Sequence, residues 1–197
     1  MKMFSTLTIT ALTLTGSDGV VRAQGAPQAK PPARPAAPAK PAPDMPKPPP
    51  ELVAAAKAMA GTWRCTGNTM DMGGQPAAMT ATMKSRADLD GFWIHDSFDG
   101  KLGKMKLKLE AFSTYDASSK KWRRVMISNE GAQSTGWSDG LKDNKMMWNL
   151  ESIGPMGASM FRDYWEIVDA RNFKASGEVS MDNGKTWLKI YDMACKK

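Results

Sequence analysis

Histidine occurs once in these 197 residues, at position 95. That scarcity excludes a metal site built from several histidines, and any histidine-based nucleophile activation away from His95. A strained Gly-x-Ser-x-Gly elbow is not expected either. No stretch approaches the roughly 20 consecutive apolar residues of a membrane-crossing helix. Strong charge of one sign is also missing where a core could form. Of the formal net charge of +7, residues 51–197 carry only +3, with both signs interspersed, which leaves no nucleic-acid footprint. Cysteine appears twice, as Cys65 and Cys195.

The first 23 residues have the order of a secretory signal. Lys2 opens it, Met3 to Leu14 is moderately apolar, and Val21-Arg22-Ala23 offers small residues for cleavage before Gln24. Gln24, not a cysteine, stands directly after that point, so a lipid anchor there is not expected. In an exported chain two cysteines are expected to pair, and the bridge would close a loop of about 130 residues worth several kcal/mol in the chain-entropy picture. The competing reading is two unrelated buried thiols. Residues 24–50 are rich in Pro, Ala and Lys and carry a net +3. This composition favours an extended spacer with nothing to bury; weak contact with an acidic envelope surface is the less favoured role.

A short helix is expected over Glu51–Ala60, after Pro48-Pro49-Pro50 and before Gly61, with Leu52, Ala55, Ala56 and Met59 on one face. From Thr62 the hydrophobic period becomes two. Met79, Ala81 and Met83 alternate with Thr80, Thr82 and Lys84. Met105, Leu107 and Leu109 alternate with Lys106, Lys108 and Glu110. Met146, Trp148 and Leu150 alternate with Met147, Asn149 and Glu151. Such runs are half-buried antiparallel strands. Ten are expected, at 62–69, 79–89, 91–98, 104–115, 121–128, 134–140, 145–151, 159–168, 172–180 and 185–193. Turn residues mark Asp90-Gly91, Asp99-Gly100, Asp116–Ser119, Asp139-Gly140, Asp143-Asn144, Gly154-Pro155 and Asp182-Asn183-Gly184. The class is all-β, an antiparallel sandwich or barrel. A cysteine on the first strand and another on the last suggest a sheet closed on itself.

The order of these motifs carries a resemblance. Gly61-Thr62-Trp63 after a short helix is similar to the opening of calycin barrels, the group to which lipocalins belong. Residues of about 51–195 resemble more specifically the bacterial family of unknown function numbered 1579. The likeness lies in Ala60-Gly61-Thr62-Trp63, Leu89-Asp90-Gly91-Phe92-Trp93, Phe98-Asp99-Gly100, Tyr115-Asp116, Lys120-Lys121-Trp122, Gly136 with Asp139-Gly140, and Asp182–Trp187. The resemblance implies a single up-and-down closed barrel of about ten strands over 51–197 and no established activity.

Several residues invite a chemical role beside a structural one. Trp63 is placed to seal one barrel end with Lys189 stacked on it, or to be an ordinary core tryptophan. Ser180, Asp182, Gly184 and Trp187 form an Asp-box-like hairpin, read as a turn stabiliser. His95 shares a face with Trp93 and Ser97, opposite Ile94 and Phe98; if that face points outward, haem ligation is not open to it. Asp96, Asp163, Glu166 and Arg162 could supply acid–base pairs, but no spacing brings two carboxylates together, and solvated strand faces are the simpler account. Met70-Asp71-Met72 is the one cluster with thioethers near enough for copper. Met79, Met83, Met105, Leu107, Leu109, Met146, Trp148 and Trp165 are the candidate lining of an adaptable cavity, or else the filling of an irregular core. The expectation is an exported, cofactor-free, non-enzymatic binder of a small apolar or amphipathic molecule; the alternative is a solid-packed envelope interaction module.

Overall fold

The computed structural model describes residues 46–71 and 73–197. The signal segment, most of the Pro-rich stretch and Met72 of the methionine cluster lie outside the described residues.

Helix α1 spans Pro50–Met59, one residue earlier than expected, with Pro50 at its first position and Leu52 and Ala56 buried. Ten strands follow: β1 (Gly61–Met70), β2 (Pro76–Asp88), β3 (Trp93–Leu102), β4 (Met105–Asp116), β5 (Lys121–Ser128), β6 (Gln133–Ser138), β7 (Lys145–Gly154), β8 (Gly157–Asp169), β9 (Asn172–Ser180) and β10 (Leu188–Lys196). Each pairs antiparallel with the next, and β10 returns to β1, closing one barrel.

Closure is covalent as well as hydrogen-bonded. Cys65 and Cys195 are directly opposed in the β1–β10 ladder, their Cα atoms 4.0 Å apart, and are joined by a disulfide across 130 positions. Beside the bridge, Trp63, Phe173, Met83 and Ala175 pack into a core with Trp165 and Met193. Trp63 meets Phe173 edge-on at 4.9 Å. On the same end α1 lies across the wall, Leu52 and Ala56 packing with Ile94, Tyr115 and Trp122. Trp63 Nε1 donates to the carbonyl of Met59 at 2.8 Å, which ties the helix to the first strand. The cation over the Trp63 ring is Lys197, 4.5 Å from its centroid. Lys189 does not stack there. It sits on the exposed outer face, paired with Asp192, because β10 shifts register between Lys189 and Tyr191 and its far end is remote from Trp63.

Two turn expectations are corrected. Asp99-Gly100 lies inside β3, opposite Thr82 and Ala81, and the reversal comes at Gly103. Gly100 is there because the Phe98 ring folds over it; an added Cβ would come within 2.5 Å of that ring. Strand β10 starts at Leu188 rather than 185, because the Asp182 hairpin occupies the residues before it. Asp182 Oδ1 accepts from Ser180 Oγ (2.7 Å), Lys185 N (3.0 Å) and Thr186 N (2.9 Å). Those bonds, led by the one from Thr186, hold the Asp182 carboxyl at about 2.

Candidate functional site

Strand alternation sends one residue set into the lumen, and most of it is apolar. Met79, Met83 and Trp148 are buried, while Met105, Leu107, Leu109, Met146 and Trp165 are half-buried on the same inward rows. The α1 end is packed shut. Toward the 103–104 and 129–132 hairpins the inward Leu102, Met105, Leu107, Leu109, Met126 and Phe161 remain partly open.

The middle of the lumen is not apolar. Arg124 of β5 is 3% exposed and reaches across the barrel, donating from Nη2 to Asp96 Oδ2 at 3.1 Å and from Nη1 to Asp163 Oδ2 at 3.2 Å. Asp96 is on β3 and Asp163 on β8, five strands apart in either direction around the ring, so one guanidinium joins opposite walls. Gly136, opposite Arg124 in the β5–β6 ladder, is there because β7 passes close to it: an added Cβ would run into the backbone of Asn149 and Leu150. The guanidinium lies 4.6 Å from the Trp148 ring centroid and 4.7 Å from that of Trp165. Asp163 accepts further from Trp165 Nε1 at 3.0 Å and from the Tyr191 hydroxyl. Tyr191 in turn lies over Gly177, where a Cβ would meet its ring at 2.2 Å.

Burial pushes the Asp163 carboxyl above its ordinary value, against the pull of Arg124 and of its two other donors. Burial, with Asp163 beside it, pushes the Tyr191 hydroxyl well up. Both shifts run the same way, Asp163 toward its protonated, neutral form and Tyr191 toward keeping its proton. Around this cluster several buried polar atoms bond to nothing among the described residues: Asp96 Oδ1, Arg124 Nε, Trp148 Nε1, Ser85 Oγ and Ser113 Oγ.

Asp96 and Asp163, considered at the sequence level without a partner, are thus brought together by a residue that reading passed over. The signal was available. Arg124 is in phase with Trp122 and Met126, Asp96 with Ile94 and Phe98, and Asp163 with Phe161 and Trp165. The other two candidates lie outside the lumen. Glu166 faces out, and Arg162 stacks 3.8 Å from the Trp187 ring, whose Nε1 donates to Gly184 O within the hairpin. His95 also faces outward, stacked on Phe112 and flanked by Asp88 and Glu110, so it does not join Asp96. A Gly-x-Ser-x-Gly spacing does occur, contrary to expectation, at Gly136-Trp137-Ser138-Asp139-Gly140. Ser138 ends β6 there and its Oγ accepts from Gly140 N at 3.1 Å, which makes it a turn.

Among the described residues the outer wall is indented in at least two places. One, of about 1030 Å³, runs over outward residues of β7–β10, including Tyr164, Glu166, Lys174 and Asp192, beneath the 139–143 loop. Another, of about 510 Å³, is basic: Arg64, Lys101, Lys106 and Lys108 surround Thr66, Thr80 and Thr82. No described helix is long and apolar enough to cross a membrane.

Residues 54–197 match the family described as "Protein of unknown function (DUF1579)". This chain belongs to that family. Comparison with curated proteins finds no match. Among solved structures the chain is similar to Rv2717c from M. tuberculosis, with a TM-score of 0.60 and 10% identity over 77% of this chain and 99% of that one. It is also similar to the S-type phycobiliprotein lyase CPES from Guillardia theta, with a TM-score of 0.52 and 11% identity over 74% and 92%. At these identities the likeness is one of fold. A family of unknown function thus uses a barrel architecture that also occurs in a lyase.

Proposed function

We propose that this family member is an exported, non-enzymatic binder or carrier of a small amphipathic molecule, taken into the lumen from the hairpin end. The observation that carries the reading is the set of half-buried inward apolar side chains at the hairpin end, lying above a buried polar cluster with atoms still to be hydrogen-bonded. A purely apolar guest would leave Asp96 Oδ1 and Trp148 Nε1 buried without partners, at roughly 1–3 kcal/mol for each such group. A guest with an apolar body and a polar head meets both halves. The inward methionines supply side chains that re-pack around such a guest. The disulfide and the sequence of the first 23 residues support export. The fold it shares with a phycobiliprotein lyase keeps a chromophore-like guest within the class considered. His95, set on the opposite side of the wall from Asp96 and Asp163, argues against histidine-based catalysis in the lumen.

The test is native mass spectrometry of the mature protein recovered from its own periplasm or medium, beside the same sample denatured. A non-covalent mass lost on denaturation is expected. A bare protein that also takes up no amphipathic probe overturns the reading. It would favour the second one, an envelope interaction module with its contacts on the basic outer groove around Lys101, Lys106 and Lys108. That reading rests on the central lumen being occupied by Trp148, Trp165 and Arg124.

A further inference from the structure

The central cluster holds two carboxyl groups and one guanidinium, and its hydrogen bonds are unevenly distributed. Both terminal nitrogens of Arg124 have partners, one on each aspartate. Both oxygens of Asp163 have donors: Tyr191 on Oδ1, and Arg124 with Trp165 on Oδ2. Asp96 has only one of its two oxygens engaged. Its Oδ1 is buried and bonded to nothing among the described residues. Ser85 lies opposite Asp96 in the β2–β3 ladder, and Ser113 lies opposite Arg124 in the β4–β5 ladder, each with an unpaired Oγ. Ser85, Asp96, Ser113 and Arg124 are 4%, 5%, 3% and 3% exposed, so these are interior groups and not a surface acidic patch.

A barrel with an interior arginine invites the assumption of an anionic guest. The geometry here argues against it. The charged ends of Arg124 are already neutralised, and an entering carboxylate would stand beside Asp96 and Asp163 in a medium that screens poorly. What the cluster lacks is a hydrogen donor for Asp96 Oδ1, and the hydroxyl of Ser85 opposite it can accept as well. We propose that the lumen selects guests whose head group is a cation or a strong N–H donor, such as a primary ammonium on an apolar body, seated on Asp96 Oδ1 beside Ser85, its partner in the β2–β3 ladder. This deepens the proposed function and rests on it. The preference runs against the mildly basic balance of residues 51–197, so long-range attraction to the domain as a whole cannot imitate it.

The experiment measures binding of decylammonium, decanol and decanoate to the disulfide-intact mature protein, below their micellar concentrations, by calorimetry and tryptophan fluorescence. Decylammonium is expected to bind at least about tenfold more tightly than either of the others, the equivalent of one charge-assisted hydrogen bond. Asp96→Asn should erase that preference while leaving decanol binding in place. Ser85→Ala, which keeps both Arg124 pairs, should weaken decylammonium several-fold and serves if Asp96→Asn does not fold. Decanoate or decanol binding as tightly as decylammonium overturns the head-group inference and leaves the lumen reading standing. If none of the three binds, both fall. An ammonium preference that survives Asp96→Asn and Ser85→Ala places the ammonium elsewhere and also overturns the inference.

Discussion

Replacing Arg124 by methionine keeps most of the side-chain volume and deletes the charge that joins β3 to β8. Two buried carboxyl groups then lose their shared cation. Breaking a buried pair from one side costs about 3–5 kcal/mol, because the remaining charge is left without compensation. Loss of the guanidinium between Trp148 and Trp165 adds to that figure rather than subtracting from it. The cost should depend on pH, with a definite sign. Asp163 already has its folded pKa raised above the ordinary carboxyl value, and Arg124 is the largest influence pulling it down. A group with a raised folded pKa contributes stability that is complete below its unfolded value, near 3.8, and lost as pH rises through the folded value. Removing Arg124 moves that folded value further up. The deficit of the variant should therefore shrink between pH 7.5 and pH 5, by about 1.4 kcal/mol for each unit of additional shift lying in that window. Urea unfolding followed by tryptophan fluorescence, with the disulfide intact, measures both quantities. A loss below about 1 kcal/mol at pH 7.5, or one equal at both pH values, would falsify the view of Arg124 as the compensating charge of the lumen.

Three further outcomes can be checked. Cys65→Ser should lower stability by about 2–5 kcal/mol, read as a shift in the urea midpoint relative to the oxidised parent, and adding reductant to the variant should change nothing more. Gly177→Ala should cost about 1–3 kcal/mol in the same assay, since its Cβ would enter the space of the Tyr191 and Phe161 rings; a neutral substitution would show that those rings move freely. The Asp182 carboxyl should titrate near 2 by NMR, so its hairpin bonds persist above pH 3.8 and are lost as pH falls through 2; a midpoint near 3.8 would mean the hairpin is not formed in solution.

Period-two alternation made the strands readable, because each inward side chain must leave water while its neighbours stay in it. It placed Met79, Met83, Met105 and Trp148 on one side of their strands. Local chemistry was less reliable where it served packing. Gly100 has the composition of a turn but provides space for Phe98, a contact within β3 that no two-residue motif reveals. The central cluster was harder for a different reason. Alternation places Arg124, Asp96 and Asp163 on inward rows, yet a charged residue in an inward phase is ordinarily discounted, since burying it alone is prohibitive. Only the closed topology, which sets β3 and β8 across from each other, lets one arginine satisfy two distant aspartates. That pairing is a property of the ring and not of any segment.

Every ladder in the barrel joins consecutive strands except one, the seam between β10 and β1. Without that seam the chain is a long meander whose two outermost strands each present an unpaired row of N–H and C=O groups. Such rows are templates for pairing with other chains. The Cys65–Cys195 bond sits within the seam, so its chemical state governs how readily the two edges separate. In an oxidising compartment the barrel is a sealed surface that neighbouring copies cannot extend. Under reducing conditions the same seam rests on backbone hydrogen bonds and side-chain packing without a covalent link, and its transient opening would expose two complementary edges at once. The disulfide therefore guards against self-association as well as against unfolding.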